Sequence, residues 1–186
     1  MPGGFKPVGT LTNSDPSFKL KTFNIAAAHA TRIAIGDVVR ITGTGTALTS
    51  VQEVDVATAG VAVTGVVCGF VPNYASEALT DTGLPASTFG TALVLADPLA
   101  YYEVDVSNGP LVVADVGLNA DIVATAATLN GGLSISNMTL NSTGKATTST
   151  LQFRIEKILS DAAGVFGNRA LVRVNNDTFI AGATGA

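Results

Sequence analysis

The chain has no tryptophan, one cysteine and one histidine in 186 residues. A single cysteine, Cys68, excludes an internal disulfide. Its setting among Val66, Val67, Gly69 and Phe70 predicts a buried small apolar side chain, with nothing basic nearby in sequence to make a thiolate. With His29 as the only imidazole, a Ser-His-Asp or Cys-His unit would have to be built on it. Its alanine-rich surroundings predict a polar surface or capping role instead. One His with one Cys does not make a common zinc site either.

Charge is equally scarce. Charged residues are 13% of the chain against 47% hydrophobic, with a mean hydropathy of +0.43, yet no run of eighteen apolar residues occurs, so no transmembrane helix is expected. Such a composition fits either a stable monomeric β domain or a chain whose apolar surface is partly covered by other subunits. Residues 41–144 lack any lysine or arginine but hold nine acids, from Glu53 to Asp121. All ten basic residues lie outside this stretch. Basic ends of one subunit could meet the acidic middle of another, or the middle could be a solvated acidic face. A net charge of −4 and a pI near 4.7, with no basic patch interleaved with aromatics, argue against nucleic-acid binding.

Other catalytic patterns fail as well. The glycines at Gly43-Thr44-Gly45 and Gly164–Asn168 lack the following lysine of a phosphate-cradling loop. Asp115, Asn119 and Asp121 lack the loop pattern and terminal glutamate of a calcium hand. Glu103 and Asp105 share one face of an alternating strand, where solvated decoration is the ordinary outcome. The Asn-x-Thr triplets at Asn137, Asn141 and Asn176 matter only in a secreted eukaryotic protein. The start, MPGGFKPVGT, has no charged start and apolar core of a signal peptide, which predicts an intracellular product. No catalytic, cofactor-binding or metal-binding residue is therefore assigned, and no enzyme is expected.

What the sequence does carry is β structure. Residues 91–106, TALVLADPLAYYEVDV, read as a hairpin: an apolar arm, an Asp97-Pro98 turn, and an arm alternating Tyr102, Val104 and Val106 against Tyr101, Glu103 and Asp105. Strands are expected from Ile33 to Ile41 around a Gly36-Asp37 break, at 51–56 and at 60–70, where Gly60, Gly65 and Gly69 signal bending or close backbone approach. Residues 73–90 read as a loop. Residues 111–113 continue the sheet after a turn at 107–110, and 115–128 is a loop or a short helix around 120–127. A strand at 133–140 pairs across 141–145 with a later one. Residues 150–159 alternate Leu151, Phe153 and Ile155 against Gln152, Arg154 and Glu156 before a bulge at Lys157. Residues 169–174 alternate in the same way.

The expected fold is all-β: a compact β-sandwich or β-barrel domain over residues 25–186, built from eight to ten short strands, with an extended N-terminal arm over residues 1–24. The arm is rich in Pro and Gly and is expected to be disordered or ordered against a partner, with Phe5, Phe18 and Phe23 as anchors and Lys6, Lys19 and Lys21 touching an acidic protein surface. Residues 25–30 could make one helical turn.

The arm, the Ile35-Gly36-Asp37-Val38-Val39 stretch, the run 61–70, the segment LVLADPLAYYEVDV and the ending Leu171-Val172-Arg173-Val174-Asn175 with its Gly-Ala-Thr-Gly tail together resemble the small β-rich virion proteins of tailed bacteriophages. Capsid decoration (cement) proteins are the particular likeness. That resemblance implies a homo-oligomer, a trimer or a dimer, on the outside of a phage head, bridging subunits of the major capsid protein. A competing reading is a fibre, tail or adhesin β module that binds a host-surface glycan, which would need exposed aromatics such as Tyr74, Tyr101 and Tyr102.

Overall fold

The computed structural model describes residues 3–10, 20–45, 51–72 and 82–179. The chain is all-β. Its strands are β1 (Lys6–Thr10), β2 (Leu20–Ile25), β3 (Ile33–Ala34), β4 (Val38–Gly45), β5 (Gln52–Val56), β6 (Gly65–Phe70), β7 (Gly83–Leu84) and β8 (Gly90–Leu95). They continue as β9 (Ala100–Ser107), β10 (Asn119–Ala120), β11 (Ile122–Val123), β12 (Thr128–Asn130), β13 (Leu133–Ile135), β14 (Thr139–Asn141), β15 (Phe153–Ser160) and β16 (Phe166–Val174). Strands β2-β5-β4-β6-β8 close into a barrel. A seven-stranded sheet runs β10-β15-β16-β9-β14-β11, with β1 added against β9.

Period-two alternation joins the two layers. Val39, Val67 and Val94 pack with Phe23, Ile25 and Val54 in one core, while their neighbours Val38, Val66 and Leu95 pack against the sheet residues Val104, Phe153, Ile155 and Val172 in a second. Strands β6 and β8 are therefore apolar on both faces, which explains the apolar runs at 65–70 and 92–96.

The stretch 91–106 is not a hairpin. Strand β8 pairs with β2 and β6, and β9 pairs with β16, β1 and β14, so the two arms belong to different layers. The Asp97 turn does form, with Leu99 N–H donating to Oδ1 at 2.9 Å and Ala100 N–H to the carbonyl oxygen at 3.1 Å. It delivers the chain from barrel to sheet. Both edges of each arm are occupied by strands remote in sequence, which local alternation does not reveal.

Other expectations shift similarly. Residues 26–29 make a single turn closed by His29 N–H on the Ala26 carbonyl, without a helix. Residues 111–113 leave the sheet and enter a 3-10 turn, Val113–Asp115. The region 119–123 forms the short strands β10 and β11 rather than a helix. Strand β13 pairs backwards with β12 across Gly131-Gly132, and β14 pairs with β11 and runs parallel to β9. The bulge at Lys157 is present, as a register shift between Ile155 and Lys157 opposite β16. Gly65 is a close approach, since a Cβ there would collide with the Leu95 carbonyl.

The N-terminal segment is part of the domain wherever it is described. Phe5 is 1% exposed, its ring stacked on Phe153 with centroids 4.6 Å apart and edge-on to Tyr102 at 6.4 Å. Strand β1 then pairs antiparallel with β9, and β2 is a barrel stave. Glycines make the crossing possible: Gly4 has φ +80° and packs on Ser136 and Gly36, so a side chain there would strike the Gly36 carbonyl. The expectation of an extended N-terminal arm over residues 1–24, disordered or ordered against a partner, is thus corrected for residues 3–10 and 20–24. Gly3 and Gly4 serve close packing on Ser136 and Gly36 of the same chain.

At this crossing sits Asp37, 1% exposed, its Oδ2 accepting the Ala34 N–H at 2.8 Å. Burial pushes its carboxyl up to about 6, against the opposing hydrogen bonds from Ser136 and Ala34. A carboxyl raised in the folded state gives stability that is complete below its unfolded pKa near 4 and is lost as pH rises through 6. Asp37→Asn keeps an acceptor for Ala34 and removes the charge. The variant should therefore gain about 3 kcal/mol on the parent between pH 4 and pH 7.5. Urea unfolding of both proteins at the two pH values measures the difference; a gap that does not change with pH contradicts the buried charge.

Candidate interaction surface

The residues proposed from sequence as partner contacts separate on the structure. Phe5 and Phe23 are 1% and 4% exposed and belong to the two cores, so neither is an anchor for another protein. Their burial inside this chain corrects that expectation. Lys6 lies half-buried on β1 opposite Glu103. Lys21 is exposed on β2, its ammonium 4.9 Å from the centre of the Phe179 ring. Phe18 and Lys19 lie outside the described residues.

The acidic middle meets basic ends within the same chain. Arg169 on β16 holds Glu103 at 2.8 Å and Asp105 at 2.9 Å, both from the neighbouring β9, and this pairing holds its guanidinium above the ordinary arginine range. Lys145 reaches Asp115 at 3.2 Å, while Arg173 pairs with Glu156 within the C-terminal block itself. Antiparallel register opposes residues of the two charge blocks, because β9 comes from one and β16 from the other. The arginine pairs are partly exposed and add little stability, whereas the Asp115 carboxylate is buried; the pairs of Arg169 and Lys145 satisfy inside one subunit part of what the charge layout offered to a neighbour.

The residues considered for chemistry are equally occupied. Cys68 is partly buried against the larger core, its thiol donating to the Val66 carbonyl at 3.6 Å, and burial pushes that thiol up. Tyr102 is fully buried with its hydroxyl donating to Leu95 O at 3.2 Å, so it cannot stack on a glycan. Tyr101 is half-buried and Tyr74 lies outside the described residues. Asp115 accepts the Val112 N–H, and Asp121 accepts that of Gln152. Among the described residues no group of three or more His, Cys, Asp or Glu could hold a metal ion. His29, expected in a polar surface or capping role, is 4% exposed, so the surface alternative is corrected; its main-chain N–H closes the 26–29 turn on the Ala26 carbonyl.

What local pattern did not mark is an apolar patch at one end of the sheet. Val112, Val113 and Val116, around the 3-10 turn, are 56%, 74% and 44% exposed. Val165 and Phe166, at the tip of the β15–β16 hairpin, are about half exposed. The Leu111 N–H donates to the Gly167 carbonyl at 2.9 Å, which brings the two groups side by side. Gly167, at φ +91°, allows this approach, since a Cβ would strike the Leu111 carbonyl. Asp161 fixes the hairpin tip by accepting the N–H groups of Ala163 and Val165 through Oδ1 and the Asn168 amide through Oδ2. These bonds to the charged form hold the Asp161 carboxyl below its usual range. These hydrogen bonds fix the turn that presents Val165 and Phe166 to solvent.

No protein family, no curated protein and no solved structure matches the chain.

Proposed function

We propose that this chain is a non-enzymatic structural protein of a tailed-bacteriophage virion, a decoration (cement) protein that binds the outside of the head and bridges major capsid protein subunits as a homo-oligomer. The observation that supports the reading is the group of Val112, Val113, Val116, Val165 and Phe166, five large apolar side chains exposed to solvent, brought together where the Leu111 N–H meets the Gly167 carbonyl. A protein whose work is adhesion needs such a surface, and many copies on one lattice turn a modest contact into firm attachment. With Phe5 and Phe23 inside the fold, contact with a neighbour passes from the N-terminal segment to this patch. The alternative, a fibre or adhesin module reading a glycan, keeps less support because Tyr102 is inaccessible.

The test is solution mass by light scattering together with co-sedimentation with empty phage heads. Wild-type protein should give a defined oligomer that sediments with heads. The double variant Val113→Asp, Phe166→Asp changes exposed positions only and should keep its stability within about 0.5 kcal/mol. It should lose the oligomer, the sedimentation, or both. A variant that retains both, or a parent that is a monomer and ignores heads, contradicts the reading.

A further inference from the structure

Two asparagines in the chain precede a glycine, Asn108 and Asn130. Such a pair carries its own modification chemistry, because glycine lets its peptide nitrogen reach the preceding side-chain amide without a Cβ in the way. The fold holds the two sites differently. Asn108 has φ +65°, and its Nδ2 donates to Asn141 Oδ1 at 2.9 Å, so the amide group is tethered to the end of β14. Ser142 Oγ lies 3.9 Å from where a Cβ on Gly109 would stand.

Asn130 ends β12, in register with Leu133 across the two-residue turn Gly131-Gly132, whose φ angles are +59° and +84°. Its side chain is exposed and makes no hydrogen bond to a described residue. The Gly131 N–H is donated to no described main-chain carbonyl, and a Cβ on either glycine would meet nothing within 4 Å. Nucleophile, amide carbon and water therefore meet in open space. The base of the hairpin is held separately, since Asn137 Nδ2 donates to the Ala126 carbonyl at 2.8 Å and to the Thr128 hydroxyl at 3.2 Å. The tip can bend without parting the strands.

We propose that Asn130 is a site of spontaneous deamidation, which turns the tip of this hairpin from neutral to acidic. The Gly131 nitrogen attacks Asn130 Cγ and forms a C–N bond, the Cγ–Nδ2 bond breaks, and ammonia leaves with the proton that the peptide nitrogen gave up. The cyclic imide then takes up one water at either carbonyl and opens to aspartate or isoaspartate. No oxidant, reductant or cofactor takes part. The new carboxylate stands beside Leu129 and opposite Leu133, 55% and 52% exposed, in the stretch that lacks lysine and arginine. Isoaspartate also adds a carbon to the main chain at the last residue of β12 and breaks its register with Leu133. This inference does not depend on the virion reading.

The full-length protein is aged at neutral pH in heavy-oxygen water, so that oxygen taken up during ageing is distinguished from oxygen taken up during digestion, and its peptides are mapped by mass spectrometry. Asn130 should be modified about five-fold faster than Asn108, the factor that one ordinary hydrogen bond is worth. Electron-transfer fragmentation should show isoaspartate beside aspartate there. In urea the two rates should converge, since unfolding frees both sites. Asn141→Ala removes the tether and should raise the rate at Asn108 several-fold while leaving Asn130 unchanged. An Asn130 that stays intact in the folded protein, or that reacts no faster than Asn108, overturns the inference. A ratio that is the same folded and in urea overturns the claim that the fold selects the site.

Discussion

Phe5→Ala should destabilise the protein by about 3–5 kcal/mol, the range for truncating a fully buried phenylalanine. The side chain is 1% exposed, stacks on Phe153 and meets the edge of Tyr102, which is itself edge-on to Phe153. Removing one ring of such a triad loses its transfer free energy, leaves a cavity in the larger core, and breaks two aromatic contacts. Phe5→Leu, which keeps most of the volume, should cost roughly half as much. Urea unfolding reads both. The comparison also separates two roles for the N-terminal segment, because an anchor for another protein would leave the stability of the isolated chain almost unchanged.

Gln152→Leu should cost a comparable amount, about 3–5 kcal/mol, without changing the size of the side chain much. Gln152 is fully buried, and its amide Nε2 donates to the carbonyls of Thr58 and Val61, each at 2.9 Å, while Oε1 accepts the Ile122 N–H at 3.1 Å. Leucine would leave three main-chain groups without these partners, at about 1–3 kcal/mol for each one that water cannot reach. The three groups lie on different parts of the fold, the segment after β5 and the strand β11. The variant should therefore loosen their junction before either part. Amide exchange at Ile122 should accelerate by at least ten-fold, and a stability equal to that of the parent would show that the network carries no net free energy.

Gln152 also illustrates what alternation can and cannot say. The period of two correctly separated Phe153 and Ile155 from Arg154 and Glu156 on β15, and Tyr102 and Val104 from Glu103 and Asp105 on β9. It placed Gln152 on the polar face, and the polar face at that point is covered by residues 58–61. Pairing partners were the harder part. In residues 91–106 both strands and the turn were legible, but the partner of each strand lies in a distant segment. Gly3 and Gly4 read as flexible punctuation because the backbone they press against, at Gly36 and Ser136, is far off in sequence. The exposed patch was hidden for the opposite reason. Val112 and Val113 look like any strand residues, and only the 3-10 turn that lifts them away from the sheet makes them surface.

The position of β1 has a consequence for the order in which the protein can be assembled. Phe5 is synthesised before Phe153 and the sheet strands around it, which follow almost 150 residues later. Until then the aromatic seat of Phe5 does not exist, and an apolar N-terminal segment must wait uncovered while β9, β15 and β16 come together. Closing so long a loop is entropically slow, and the waiting chain is open to a neighbour that offers the same seat. In a cell making many copies at once, concentration and synthesis rate then bear on whether each subunit closes over its own first strand or over another's.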